Sequence, residues 1–210
     1  MKVRWVAAVV FLLGAVPAYG AEPALPAGTY TLDKSHASLV FQVSHLGFSN
    51  YTMTFDDFDA VLTLDPQHPE QAKLSATVEA QSLDLPHPPE GFLQTMTMDE
   101  NWLNASVFPK ITFTSTAIKM TGEKTADIEG DLALLGVKKP VVLHAIFNGG
   151  YAGSPMDPDA RIGFSATGSF KRSDFGMAYG VPAPGTTMGV GDAVTFEIEA
   201  EFSGPENGTK

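Results

Sequence analysis

From Thr29 to Phe202 the chain alternates apolar and polar residues in short runs that are broken by Gly, Pro, Asn and Asp. A period of two sends successive side chains to opposite faces, so each run reads as a half-buried strand of an antiparallel sheet. In the first run Leu39, Phe41, Val43 and His45 share one face, with Val40, Gln42 and Ser44 on the other. Phe58, Ala60, Leu62 and Leu64 form a second set. Leu74, Ala76, Val78 and Ala80 then alternate with Lys73, Ser75, Thr77 and Glu79. A strand with one wet face cannot be central to a layered α/β fold, where both faces are apolar. Further runs cover Ile111 to Ile118, Ile128 to Leu134, Val141 to Phe147, Ile162 to Phe170 and Val194 to Phe202.

One segment breaks this pattern. Between Pro89 and Asn104 no alternation survives, and Phe92, Leu93, Met96 and Trp102 suit the apolar face of a helix. The pattern therefore predicts an all-β fold of about eight strands with one helical insertion. Local signals alone fit a closed barrel or a two-sheet sandwich. Asp65 to Pro69 and Gly149 to Pro158 read as loops within one domain.

The first residues carry Lys2 and Arg4, an apolar run from Trp5 to Val16, a break at Pro17 and small residues at Ala18 and Gly20. This is the layout of a cleaved secretory leader, so residues 1–20 are read as a signal peptide and 21–203 as the mature domain. Gly204, Pro205 and Gly208 make 204–210 a flexible tail. The leader's apolar run is shorter than the ~20 residues of a membrane-spanning helix, and no Cys stands at the cleavage site to accept a lipid. The expected product is a periplasmic protein with no stable membrane anchor, monomeric or homodimeric. Three Asn-x-Ser/Thr triplets, at Asn50, Asn104 and Asn207, have meaning only in a eukaryotic secretory path.

Charge and cysteine usage narrow the function. The formal net charge is −11, and removal of Lys2 and Arg4 makes the mature chain still more acidic. Phosphodiester backbones and anionic lipid surfaces are held by Lys and Arg clusters, so nucleic acid is excluded as a partner. With no Cys, the fold must be held by its core alone, and the chain is long enough for that.

Catalytic patterns are sparse. The chain has no G-x-S-x-G elbow and no S-x-x-K pair. His36, His45, His68, His87 and His144 show neither H-x-H nor H-E-x-x-H spacing, so no metal site is expected. Asp56-Asp57-Asp59 and Asp157-Asp159 lack calcium-loop spacing and read as solvated turns. His45 stands apart, because parity turns it inward at the end of its strand, next to Gly47. It is either a core histidine bonded to a backbone carbonyl or a polar group at the mouth of a cavity.

Several blocks taken in order resemble the YceI-like family of periplasmic polyisoprenoid-binding proteins. They are Tyr30 to Asp33 with Ser35-His36, FQVSHLGFS from Phe41 to Ser49, FDDFDA from Phe55 to Ala60, and VFPKITFTST from Val107 to Thr116. GDLALLGVKKPVVL from Gly130 to Leu143 and RSDFGM from Arg172 to Met177 complete the set. The resemblance implies an eight-stranded, antiparallel, lipocalin-like barrel with a long isoprenoid in its lumen. Two blocks depart from the family pattern. Met98 to Trp102 stands where members carry R-D-x-H-L on the helix, and Leu135 precedes Gly136 where many have His or Asn. Without that Arg and His, a quinone or another neutral head group suits this chain as well as a pyrophosphate.

Within such a barrel the inward faces name candidate ligand-binding residues. Leu39, Phe41, Val43, His45, Phe58 and Phe113 follow from strand parity, and Met96 and Trp102 from the helical segment. Phe48, Phe55, Phe164, Phe175 and Met177 come from the aromatic and Met inventory. The leading expectation is a lipid carrier or store with no catalytic residues and no cofactor beyond the bound lipid. Two alternatives stand beside it: an enzyme acting on an amphiphile with His45 as base and an Asp such as Asp99 orienting it, and a ligand-free structural or stress protein.

Overall fold

The structure, a computed structural model, describes residues 24–206. The expected leader at 1–20 and the end of the expected tail at 207–210 lie outside the described residues. In chain order the elements are β1 (Gly28–His45), β2 (Ser49–Phe55), β3 (Phe58–Leu64), β4 (Lys73–Glu79), β5 (Leu83–Asp84) and the helix α1 (Phe92–Met98). β6 (Lys110–Met120), β7 (Thr125–Leu134), β8 (Val137–Tyr151), β9 (Asp159–Lys171) and β10 (Val190–Glu206) follow.

Eight of the strands close a barrel in the order β1, β3, β4, β6, β7, β8, β9, β10 and back to β1, every pairing antiparallel. These are the eight runs that alternation picks out. Closure leaves no free edge in the ring, so the unpaired backbone of an open sheet is avoided. The sandwich reading is thereby excluded.

β2 and β5 lie outside that ring. β1 is 18 residues long, and one of its edges is shared: residues 28–31 pair with β3 and residues 40–45 with β2. The division falls at a break in the β1–β10 register between Leu32 and Ala37. A bulge of this kind bends a strand and increases its twist, which here splits the sheet into the ring and a β2–β5 flap. β2 was not among the expected strands, although Tyr51, Met53 and Phe55 alternate in it; its opening Ser-Asn carries no strand signal. β5 has two residues, too few to show a period.

The helical segment is shorter than the expected Pro89–Asn104. α1 starts after Gly91, whose φ of 75° suits a residue without Cβ, and it ends where the Asp99 carboxylate accepts from the backbone and side-chain N–H groups of Asn101, at 2.8 and 2.9 Å. The rest of the segment is turns, tied back by Leu103 N–H to Met96 O (3.1 Å) and Ala105 N–H to Thr97 O (2.8 Å). The tail boundary also shifts. β10 runs through Glu206, which pairs with Asp159, so residues 204–206 belong to the barrel.

Two apolar clusters follow from strand direction. Val43, Met53, Phe55, Leu134, Val141 and Met177 gather at the end that carries the β1–β2 and β7–β8 turns, with α1 against them. Tyr30, Leu62, Ala160, Ile162 and Phe202 gather at the opposite end.

Candidate functional site: the lumen and its mouth

Inward parity lines the barrel with carbon. On β10, Val194, Phe196, Ile198, Ala200 and Phe202 face in while Thr195, Glu197, Glu199 and Glu201 are exposed. β4 contributes Leu74, Ala76 and Val78. These walls enclose a cavity of about 600 Å³ that reaches both apolar clusters. That lies inside the ~300–1,000 Å³ typical of small-molecule pockets.

The far end is shut. Tyr30 is fully buried, its hydroxyl donating to Pro26 O at 2.6 Å, and Ile162 and Ala160 are buried beside it. Burial pushes the Tyr30 phenol above its ordinary pKa, so it stays neutral.

The polar groups of the cavity lie at the near end. His45 lines the lumen yet is exposed, and its side chain makes no hydrogen bond among the described residues. This is the mouth position, not that of a bonded core histidine. Just beyond it, Leu46 (φ 55°) and Gly47 (φ 71°) make a tight turn closed by Phe48 N–H to His45 O at 2.9 Å.

Arg172 is the second polar group. A 3₁₀ turn at Arg172–Phe175 swings the guanidinium inward until the residue is 2% exposed. It donates to four carbonyls: Gly191 (2.9 Å), Met177 (3.0 Å), Tyr179 (2.8 Å) and Val190 (2.8 Å). Its Cζ stands 5.8 Å from the centroid of Trp102, a cation–π contact. Burial pulls its pKa below the ordinary value and Asp192 opposes that, but a guanidinium stays charged. The side chain thus stitches the β9–β10 connection over the mouth.

Leu39, Phe41, Val43, His45, Phe55, Phe58, Met96, Trp102, Phe113, Phe164 and Met177 all line this cavity. Two candidates do not. Phe48 is 80% exposed on the β1–β2 turn, because the turn places it outside the strand whose parity faces inward. Phe175 is buried behind the wall, edge-on to the lumen-facing Phe170 with centroids 5.4 Å apart. Phe170 and Phe196 were legible from the parity of their runs; Arg172 had no such signal.

Among the described residues, the expected pairing of His45 with Asp99 does not form. Asp99 makes its hydrogen bonds to Asn101, not to His45. Asp33, Ser35 and His36 do meet, at the β1 bulge on the outer face. There Ser35 Oγ donates to Asp33 Oδ1 at 2.6 Å, and the same His36 Nδ1 faces both Asp33 (3.1 Å) and Ser35 (3.3 Å). A triad base needs one ring nitrogen for the serine and the other for the carboxylate, so this cluster is not one.

A hollow, closed antiparallel barrel of eight strands with an apolar lumen defines a lipocalin-like fold. The profile of the YceI-like domain matches residues 30–202, and the chain belongs to that family. A UPF0312 protein of Pseudomonas savastanoi pv. phaseolicola is 36% identical over 182 residues, 85% of this chain and 86% of that one. One from Ectopseudomonas mendocina is 41% identical over 153 residues, 71% of this chain and 76% of its own. Among solved structures, a Campylobacter jejuni YceI protein carrying a Gly-to-Cys substitution is 30% identical, with a TM-score of 0.64 over 84% of this chain and 98% of that one. A polyisoprenoid-binding domain from Saccharophagus degradans, at 14% identity, shares the fold with a TM-score of 0.60 over 84% and 98%.

Proposed function

We propose that this chain binds and carries, or stores, a long isoprenoid or similar apolar lipid in the barrel lumen, in the periplasm, with no chemistry of its own. The observation that carries the reading is the lumen: one continuous apolar channel, shut by Tyr30 at one end, with His45 and Arg172 at the other. The name of the Saccharophagus degradans domain supports the same ligand class.

At ~0.8 kcal/mol per buried CH₂-sized group, an isoprenoid of about forty carbons gains roughly 30 kcal/mol gross. Real affinities saturate near ~18–21 kcal/mol, so ordering the chain and associating two molecules must offset much of this. Burial therefore provides affinity without discrimination, and selectivity falls to lumen size and to the mouth. The run Val194–Phe202, at ~3.3 Å per residue and tilted by ~40°, makes the lumen roughly 20 Å deep. A longer extended chain must fold back inside or trail through the mouth.

Native mass spectrometry of the purified mature protein, followed by solvent extraction, tests the reading. Wild-type protein is expected to carry an extractable lipid, and to take up a quinone or a polyprenol after delipidation. Phe41→Trp overfills the lumen beside Phe55, whose ring stacks on Phe41, and should lower that uptake. Delipidated wild type that takes up neither probe overturns the proposal.

A further inference from the structure

Ser35–Phe55 and Phe175–Gly191 are among the long stretches of this acidic chain that contain no Asp, Glu, Lys or Arg. The fold brings them together at the mouth. Leu46 N–H donates to Gly189 O at 2.8 Å, and Val190 N–H to Gly180 O at 2.8 Å. Gly47 lies so close to Thr187 that a Cβ there would stand 2.8 Å from its Oγ1, and Gly191 packs on Ser44. The surface formed in this way presents Phe48, Met188 and Tyr179, which are 80%, 66% and 59% exposed. Tyr179 meets Trp102 edge-on, with centroids 5.6 Å apart, and Trp102 lines the lumen. An apolar path therefore runs from the rim into the cavity.

The rest of the molecule differs in charge. Glu90, Asp99 and Glu100 border the mouth on the α1 side, and Asp65, Glu70, Glu123, Asp157 and Asp159 ring the closed end. The Phe48–Met188–Tyr179 face, drawn from two uncharged stretches, has no carboxylate of its own to desolvate against a lipid surface.

We propose that this face docks the open barrel on a neutral bilayer surface so that the lipid passes between membrane and lumen without crossing water. The inference rests on the carrier reading, since it is a lipid ligand that gives the rim its membrane partner. Aromatic and Met side chains seat at the headgroup boundary, where an amphipathic ring has one end in each medium. With only three such groups and no Lys or Arg within the two stretches that form the face, docking is reversible. The acidic body is repelled by anionic lipid, so binding weakens as the anionic fraction rises, opposite to proteins that dock through polybasic segments. The same uncharged rim also fits a second copy of this chain, which the experiment separates.

The test is flotation of full mature protein with phosphatidylcholine vesicles, with and without phosphatidylglycerol, alongside native mass spectrometry of its lipid content. Wild type should float with neutral vesicles and several-fold less with anionic ones. Phe48→Ser combined with Met188→Ser, both on the exposed rim, should float several-fold less and exchange a fluorescent lipid with vesicles more slowly, while the lipid retained in solution is unchanged. Lipid-bearing wild type that stays off neutral vesicles, or a double variant that floats equally well, overturns docking and leaves the carrier reading standing. Dimerisation that the double variant abolishes, with no vesicle binding by wild type, assigns the face to a second copy and also overturns it. Protein that floats through this face but holds no lipid overturns the carrier reading instead.

Discussion

The ring of Phe113 on β6 reaches over Gly130 on β7: a Cβ at Gly130 would stand 2.2 Å from the Phe113 Cζ and 2.7 Å from the carbonyl oxygen of Thr114. Phe196 covers Gly168 on the neighbouring strand in the same way, at 2.3 Å. In both pairs the large side chain occupies the place of the missing one and rests against the wall. This is how a barrel so rich in Phe keeps its lumen hollow.

Gly130→Ala must therefore push the Phe113 ring into the lumen or displace backbone, and overpacking of this kind costs about 1–3 kcal/mol. The expected outcome is a lower denaturant midpoint together with less lipid held per protein. Unchanged midpoint and unchanged lipid content would show that the wall yields without touching the lumen.

Arg172→Met removes a cation but strands the carbonyls of Gly191, Met177, Tyr179 and Val190. Losing hydrogen bonds to a charged donor costs about 1.5–3 kcal/mol, and more where several buried acceptors go unpartnered together. Hydrogen exchange should rise throughout residues 176–191 before it rises in β3 or β4. Arg172→Lys keeps the charge without the planar fork and should protect this loop less well than wild type. Uniform loss of protection over the whole barrel would refute a local role.

His45→Ala should weaken binding of the native lipid by about 0.5–1.5 kcal/mol if its head group is neutral, and by about 1.5–3 kcal/mol if it is charged. A headless hydrocarbon of equal length should lose less. Titration of both ligands at one pH decides the matter, and equal losses would assign His45 no part in head-group selection.

His36 has a raised pKa, chiefly because its Nδ1 hydrogen-bonds to Asp33, with the charges of Asp33 and Glu201 adding to it. A raised folded-state pKa means that this contribution is complete below the unfolded value near 6.5 and fades as pH climbs through the folded one. Asp33 has the opposite sign. Hydrogen bonds from the Ser35 and His36 side chains and the Ser35 amide hold it far below the carboxylate range, so its contribution is present above 3.8 and lost only in strong acid. The melting-temperature gap between wild type and His36→Gln should be widest below pH 6.5 and close on the alkaline side. A gap independent of pH, or an NMR titration of His36 at its ordinary value, would contradict this.

Period-two alternation by itself determined the barrel strands and which residues of each face inward, because one register puts all of Leu39, Phe41 and Val43, or Leu74, Ala76 and Val78, on the same side. That is a local property, and a one-residue slip would turn every side chain outward. Tertiary structure decided what alternation does not encode. Closure of β10 on β1 chose a barrel over a sandwich, and the bulge between Leu32 and Ala37 gave β1 two partners along one edge. The turn after β1 put Phe48 in water. Arg172 was drawn inside because two carbonyls of the β9–β10 connection and two at the start of β10 converge on it, an arrangement that exists only once residues 172 and 177–191 are folded against each other.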